Sequence, residues 1–290
     1  METKPEIKTE TPRIIRSEHI CLSLPVYGKA DVPFVQCLMQ TLATTAVVGF
    51  VDFLPGDSLV NRARNNLAHR FMVGFPGLDD DGKPVVTQFD WMMFIDTDLV
   101  FKPEAVELLY ELGRERGPGV YVGTYPIKQL KPKVVMNAVP GHKIADDGTV
   151  EVREAGTGFM LIHRDVFAKM QERYRDEIEY ETDSGSEQVA RTIMYDYFSV
   201  GVRKDPNLGW KRFLSEDWYF CQRWREMGGK ILMQTRISCG HIGQFTFPGN
   251  PQEVIDAAEV FKKGIEKMKE RHGAAPVLVK TVRQAEPVAA

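Results

Sequence analysis

The sequence contains few cysteines and no long apolar run. Its four cysteines are scattered, without the C-x-x-C spacing of a zinc or redox motif, and this predicts reduced, mostly buried thiols. No stretch is apolar enough to cross a bilayer, and the opening METKPEIKTETPRIIR lacks the apolar core of a signal peptide. We therefore expect a cytoplasmic protein with no stable membrane insertion.

The sequence also lacks an excess of positive charge. It has 37 Lys and Arg residues against 40 Asp and Glu residues, which gives a formal net charge of -3. We therefore expect no strong non-specific binding to nucleic acid, although a local basic groove stays open. The composition is that of a folded globular protein, and 290 residues fit one main domain.

Apolar strands alternate with helical patterns through the first half of the chain. The apolar runs lie at residues 19–24, 48–54, 91–95 and 120–123, and the helical patterns between them at about 31–46, 57–73 and 103–112. This order predicts an α/β fold with a mostly parallel central sheet flanked by helices. The second half is less regular, and we expect it to be smaller, with mixed strand pairing.

Changes in composition predict the boundaries. Residues 1–17 are polar and predict a flexible N-terminus before a domain at 18–247. An apolar stripe predicts a C-terminal helix at 248–272, followed by a disordered tail at 273–290. The long acidic segment 175–202 predicts a mobile lid.

An acidic triplet, Asp96-Thr97-Asp98, follows the apolar run at 91–95. In open parallel sheets, ligands bind beyond the carboxyl ends of the strands. A divalent cation held there by one or two carboxylates could neutralise the diphosphate of a leaving group. Taken alone, the triplet is more often a turn at a strand end.

Further segments accompany the triplet in a definite order. They are SLVNRARNNLA at 58–68, FIDTDLVF at 94–101, GTGFMLIHRDVF at 156–167, SEDWYFC at 215–221 and CGHIG at 239–243. Together they resemble the glycosyltransferases of the GT-A fold, especially family-two-like members, over about residues 19–247. The resemblance implies a nucleotide-binding half at 18–125 and an acceptor half at 126–247.

The resemblance also implies the reaction and its main residues. A sugar would pass from a nucleotide-sugar, with UDP-sugar favoured, to a hydroxyl of a glycan, lipid-linked sugar, protein or modified nucleic-acid base. Asp98 and His241 are implied as ligands of Mn²⁺ or Mg²⁺, and Asp96 as a further metal-site or ribose contact; histidine suits manganese better. Asp217 matches the base that takes the acceptor proton, and Glu216 would orient the acceptor, although the two could exchange roles.

Other residues are candidates for contacts to the donor. They are Pro25, Tyr27, Arg62, Arg64, Asn65, Thr97, Gly156 and Gly158. Each has a structural alternative, since helix faces carry solvated arginines and glycines mark bulges. Glu216 and Asp217 could equally serve the helix dipole. The tryptophans Trp210 and Trp218 fit sugar stacking or the core.

Two other functions stay open. A sugar nucleotidyltransferase shares a similar fold but would need a glycine-rich loop with basic residues after the first strand, and the LPVYG at 24–28 is not one. A non-catalytic sugar- or partner-binding relative would not need the acidic residues and histidine that are present. Stereochemistry stays open too, because an in-line base implies inversion whereas a late metal-binding histidine also occurs in retaining relatives.

Overall fold

The computed structural model describes residues 11–129, 133–141, 143–182, 192–205, 209–243 and 246–247, with single positions between 252 and 266. The helices with described bounds are α1 (Val32–Thr44), α2 (Val60–Val73), α3 (Pro103–Arg116), α4 (Arg164–Ile178) and α5 (Glu216–Glu226). The strands are β1 (Arg13–Val26), β2 (Val48–Pro55), β3 (Phe75–Leu78), β4 (Pro84–Ile95), β5 (Leu99–Val100), β6 (Val120–Thr124), β7 (Met136–Ala138), β8 (Thr149–Ala155), β9 (Phe159–His163), β10 (Glu179–Thr182), β11 (Thr192–Tyr195), β12 (Gly201–Lys204), β13 (Lys211–Leu214), β14 (Ile231–Ser238), β15 (Gly240–Ile242) and β16 (Thr246–Phe247).

Nine of these strands form one mixed sheet in the order β2-β1-β4-β9-β6-β14-β8-β7, with β3 beside β4. β1 is parallel to β2 and β4, and β6 is parallel to β14. The other neighbouring pairs are antiparallel. The α/β prediction is confirmed, but the prediction of a mostly parallel sheet is wrong. β9 runs antiparallel between β4 and β6, and the short β3–β4 and β7–β8 connections suit only antiparallel neighbours.

Apolar layers cover both faces of this sheet. Along β4, Met92 and Phe94 face the layer beneath α2, α4 and α5, whereas Met93 and Ile95 face the layer beneath α1 and α3. Successive side chains of a strand point to opposite faces, so this apolar run had to be buried twice. The sheet is thereby held between helices, and β4 ends at the buried Ile95, directly before Asp96.

The four cysteines are free and buried, as the sequence predicts. Among the helices that the structure describes, none is both long and apolar enough to span a bilayer.

The predicted boundaries need correction at the N-terminus. β1 begins at Arg13, which pairs with Val85 of β4, so the prediction of flexibility is wrong for residues 13–17. Residues 1–10 and the predicted tail at 273–290 lie outside the described residues. Only single positions of the predicted 248–272 helix are described, and they are helical.

The segment predicted as a mobile lid, 175–202, contributes to the core at its end, which corrects that prediction there. Tyr197 and Phe198 are fully buried, and the Phe198 ring stacks on Phe220 with centroids 4.7 Å apart. The acidic composition of the segment suggested mobility, but its aromatic residues supply enough apolar area to anchor it to the core. Residues 183–191 of the segment lie outside the described part of the chain.

Candidate functional site

The acidic triplet lies where β4 ends. The backbone N–H of Asp96 donates to the carbonyl of Gly158 at 2.9 Å, and Leu99 N–H donates to the Asp96 carbonyl at 3.1 Å. The chain therefore turns beside the start of β9. Because β1 and β2 run parallel to β4, their carboxyl ends share this edge of the sheet.

Arg64 joins two acidic segments that are distant in sequence. Its Nη2 donates to Asp96 Oδ1 at 3.0 Å, and its Nε donates to Glu216 Oε1 at 3.4 Å. Its side chain is only 3% exposed. Burial opposes the positive charge, but the two carboxylates outweigh it and raise the pKa of Arg64. The buried Nη1 has no hydrogen-bond partner among the described residues. Such an atom marks a donor that a bound oxygen could satisfy.

Asp98 lies beside His241. The short β5 pairs antiparallel with β15, which brings His241 opposite Leu99. The His241 Nε2 then lies 3.2 Å from Asp98 Oδ2, and Nδ1 lies 2.8 Å from the carbonyl of Pro126. A carbonyl oxygen only accepts, so Nδ1 carries a proton. The other ring nitrogen, Nε2, faces Asp98. A hydrogen bond from one ring nitrogen to a backbone carbonyl is the contact that orients a metal-binding imidazole.

The ammonium group of Lys128 lies against Asp98. Its Nζ lies 2.6 Å from Asp98 Oδ2, the same oxygen that faces His241. Burial works against ionisation of Asp98, but the contacts with His241 and Lys128 outweigh it and lower the pKa of Asp98. This carboxylate is therefore held in the charged form that a cation requires.

Asp98 and His241 fit Mn²⁺ better than Mg²⁺, because they combine a carboxylate oxygen with an imidazole nitrogen. Among the described residues, no group of three or more His, Cys, Asp or Glu side chains comes together as a metal site. Asp96, the third predicted ligand, directs Oδ1 to Arg64 instead. The described chain therefore offers two ligands, and Asp96 is tied to the arginine.

Asp217 lies in the first turn of α5. Its Oδ1 accepts from Ser215 Oγ at 2.5 Å and from Trp218 N–H at 2.7 Å. Burial, and then the charge of Glu216, raise the pKa of Asp217 to about 6, against the lowering effects of Ser215, Trp218 and Arg64. A carboxylate with a pKa near neutrality suits a general base.

Sequence reasoning missed Tyr125, which fills the space between the triplet and the two predicted glycines. The Gly158 N–H donates to the Tyr125 hydroxyl at 3.1 Å. A Cβ at Gly158 would lie 2.6 Å from Asp96 Oδ2, and a Cβ at Gly156 would lie 2.3 Å from the Tyr125 hydroxyl. Glycine is needed at both positions for this internal contact. The end of β6, where Tyr125 follows, was a signal that could have found it.

The other predicted donor contacts separate into two groups. Pro25, the last residue but one of β1, is half-buried, and Tyr27 is 74% exposed just beyond the strand, both at the edge of the sheet where the triplet lies. Thr97 is buried, and its carbonyl accepts from Asp31 N–H at 3.2 Å. These three residues lie near the site and add no charged group to it.

Arg62 and Asn65 face away from Asp96. Arg62 is exposed and paired with Asp57, with Nη2 2.7 Å from Oδ1. Asn65 is buried, with its Nδ2 donating to Asp196 Oδ1 at 2.7 Å and its Oδ1 accepting from Phe198 N–H at 3.0 Å. Asn65 thus anchors the loop after β11.

Comparisons with known proteins give little more. No protein-family model matches the chain, and no curated protein matches it. Among solved structures, it is similar to one described as the crystal structure of A197 from STIV, with 16% identity over 78% of this chain and 86% of that chain and a TM-score of 0.46. The chemistry of the site therefore rests on its own residues.

Proposed function

We propose that this protein is a glycosyltransferase that moves a sugar from a nucleoside-diphosphate donor, with UDP-sugars the first candidates, to an acceptor hydroxyl. The observation that carries the proposal is the double contact of Arg64 with Asp96 and Glu216. It joins the helix after β2, the end of β4 and the start of α5. Groups suited to a diphosphate thereby lie beside groups suited to an acceptor.

The donor half needs positive charge against a diphosphate. Asp98 and His241 would hold Mn²⁺ or Mg²⁺, and a bound divalent cation supplies Lewis-acid stabilisation of the departing diphosphate. Lys128 lies against the Asp98 carboxylate. It can turn to a phosphate oxygen once the divalent cation also binds that carboxylate. The orphaned Nη1 of Arg64 is a further donor within this half.

The acceptor half needs a base. In the proposed step, the acceptor oxygen forms a bond to the anomeric carbon, the bond from that carbon to the diphosphate oxygen breaks, and the acceptor proton passes to Asp217. Nucleoside diphosphate leaves with the bonding electron pair. The raised pKa of Asp217, about 6, leaves the residue ionised and basic at pH 7. Glu216, bound to Arg64, would position the acceptor.

Donor binding tests the proposal. Thermal unfolding should be measured with UDP-sugars, with and without Mn²⁺, because a ligand at a hundred times its Kd stabilises a fold by about 2.7 kcal/mol. We expect stabilisation that needs both components and that Arg64→Met abolishes. Arg62→Met is the matched control, since Arg62 lies on the same helix but points to Asp57. Arg64→Lys keeps a positive charge beside Asp96 and Glu216. Its unfolding without ligand is compared with that of Arg64→Met to check that lost binding does not reflect misfolding.

The proposal fails if no nucleotide-sugar stabilises the wild-type protein in the presence of Mn²⁺. It also fails if folded Arg64→Met binds donor as the wild type does.

A further inference from the structure

The β12–β13 hairpin turns its charged face toward the protein and its apolar face toward solvent. In its antiparallel register, Val202 lies opposite Phe213, and Arg203 lies opposite Arg212. Because side chains alternate along a strand, the two arginines share one face and the valine and phenylalanine share the other. The arginine face is the one turned toward α5.

Ion pairs fasten the arginine face to the domain. Arg203 Nη2 lies 2.8 Å from Glu226 Oε2, and its guanidinium lies over the Tyr219 ring. Arg212 pairs with the buried Glu154, and its guanidinium lies 5.0 Å from the centroid of the Trp218 ring. The hairpin is therefore held against the helix that begins with the proposed base.

The opposite face is apolar and exposed. Val202 is 66% exposed and Phe213 is 67% exposed. Val200, just before the hairpin, is 45% exposed. A two-stranded hairpin ordinarily buries its apolar face and solvates its charged one. Several exposed apolar side chains on one small element instead mark an interaction surface.

Two lysines lie on the same exposed face. Lys204 and Lys211 are directly opposite each other across the hairpin, and both are exposed. Like charges at directly opposite positions destabilise a strand pair. Neither lysine has an ion-pair partner among the residues that the structure describes. An anionic partner would remove this repulsion.

We propose that this face docks on an anionic lipid surface and that the acceptor is a hydroxyl compound anchored in that surface. The choice of acceptor rests on the function proposed above. Apolar side chains flanked by lysines match a membrane interface, where rings and aliphatic groups enter the headgroup region and lysines contact anionic headgroups. The net charge of -3 means that attraction has to be local to this face.

A single-stranded nucleic acid is the less favoured partner. Its bases stack on aromatic rings and arginine planes, but two of the three apolar residues here, Val200 and Val202, are aliphatic. Both arginines of the hairpin are turned inward and bound to carboxylates.

The hairpin also lies next to the proposed base. Phe213 precedes Asp217 by four residues, a separation of at most about 14 Å even for a fully extended chain. A hydroxyl carried at the level of lipid headgroups would therefore be within reach of Asp217. This proximity connects docking to the acceptor half of the site.

Vesicle binding tests the proposal. The full chain should be sedimented with phosphatidylcholine vesicles, with and without phosphatidylglycerol. We expect binding only when the anionic lipid is present. The double variant Lys204→Ala/Lys211→Ala should bind roughly 30-fold more weakly, since each lysine near an anionic surface contributes about fivefold. Val202→Ser/Phe213→Ser should lose binding, whereas Ile193→Ser, a 50% exposed isoleucine on the β10–β11 hairpin, should not.

The inference is overturned if wild type ignores anionic vesicles, if the hairpin variants bind them as wild type does, or if the hairpin binds a single-stranded oligonucleotide and no vesicle. Mn²⁺-dependent UDP-sugar binding by the same variants separates this inference from the proposed function. Normal donor binding with no vesicle binding in the wild type defeats only the docking. Vesicle binding without any donor binding contradicts only the proposed glycosyltransferase function.

Discussion

Replacing Asp217 by asparagine should stabilise the protein while removing the proposed base. Burial and Glu216 raise the pKa of Asp217 from 3.8 to about 6, so the charged form is disfavoured in the folded state. Asparagine is neutral and nearly the same shape. Both hydrogen bonds to the side chain end on Oδ1, which the amide oxygen can replace.

The sign and size follow from linkage. The folded protein binds the Asp217 proton more tightly than the unfolded chain does, so this group lowers stability as pH rises from about 4 to about 6. Above pH 6 the full cost is present, and a difference of about 2 pKa units corresponds to about 3 kcal/mol. Asp217→Asn should therefore gain up to about 3 kcal/mol at pH 8 and nothing at pH 3.5.

Urea unfolding of both proteins across this pH range measures the gain. Asp147→Asn is a control of opposite sign, because hydrogen bonds from Thr149 lower the pKa of Asp147, and its loss should destabilise the protein at neutral pH. Equal stability of wild type and Asp217→Asn at every pH would refute the reasoning that burial raises the free energy of the ionised carboxylate.

Three more substitutions test other contacts. Lys128→Gln should tighten Mn²⁺ binding to Asp98 up to about fivefold by calorimetry, since a partly exposed ion pair contributes at most about 1 kcal/mol; weaker binding would contradict competition at that carboxylate. Asn65→Ala should cost about 1–3 kcal/mol of stability in urea and leave donor affinity unchanged, because it strands a buried loop N–H; lost affinity without lost stability would restore Asn65 to the donor site. Gly158→Ala should cost about 1–3 kcal/mol, because its Cβ would lie 2.6 Å from Asp96 Oδ2, and an unchanged midpoint would show that the tyrosine and carboxylate move aside freely.

The elements that depend on local pattern were predictable. The apolar run at 91–95 followed by Asp96 predicts a buried strand and a turn, and the structure has both. The direction of β9 was not predictable, because an apolar strand buried on both faces has the same composition in either orientation. The mixed sheet depends on that direction.

The site was predictable in its acidic segments and less so in its contacts. Arg62 and Arg64 were grouped on one helix, but two residues turn a helix by about 200°, so only one of them can face Asp96. The contact of Lys128 with Asp98 depends on the loop after β6, which no local pattern places against the end of β4. The position of His241 depends on the long-range pairing of β5 with β15. The order of the segments in the sequence suggested that His241 lies near Asp98 but did not determine it.

Release of UDP from UDP-sugars by the purified protein tests the central claim most directly. The account predicts release that requires Mn²⁺, that is lost in Asp98→Ala, and that falls at least about 10²-fold in Asp217→Asn while donor binding persists. The account is contradicted if release is absent with every nucleotide-sugar tried in the presence of Mn²⁺, or if Asp98→Ala and Asp217→Asn release UDP as fast as the wild type.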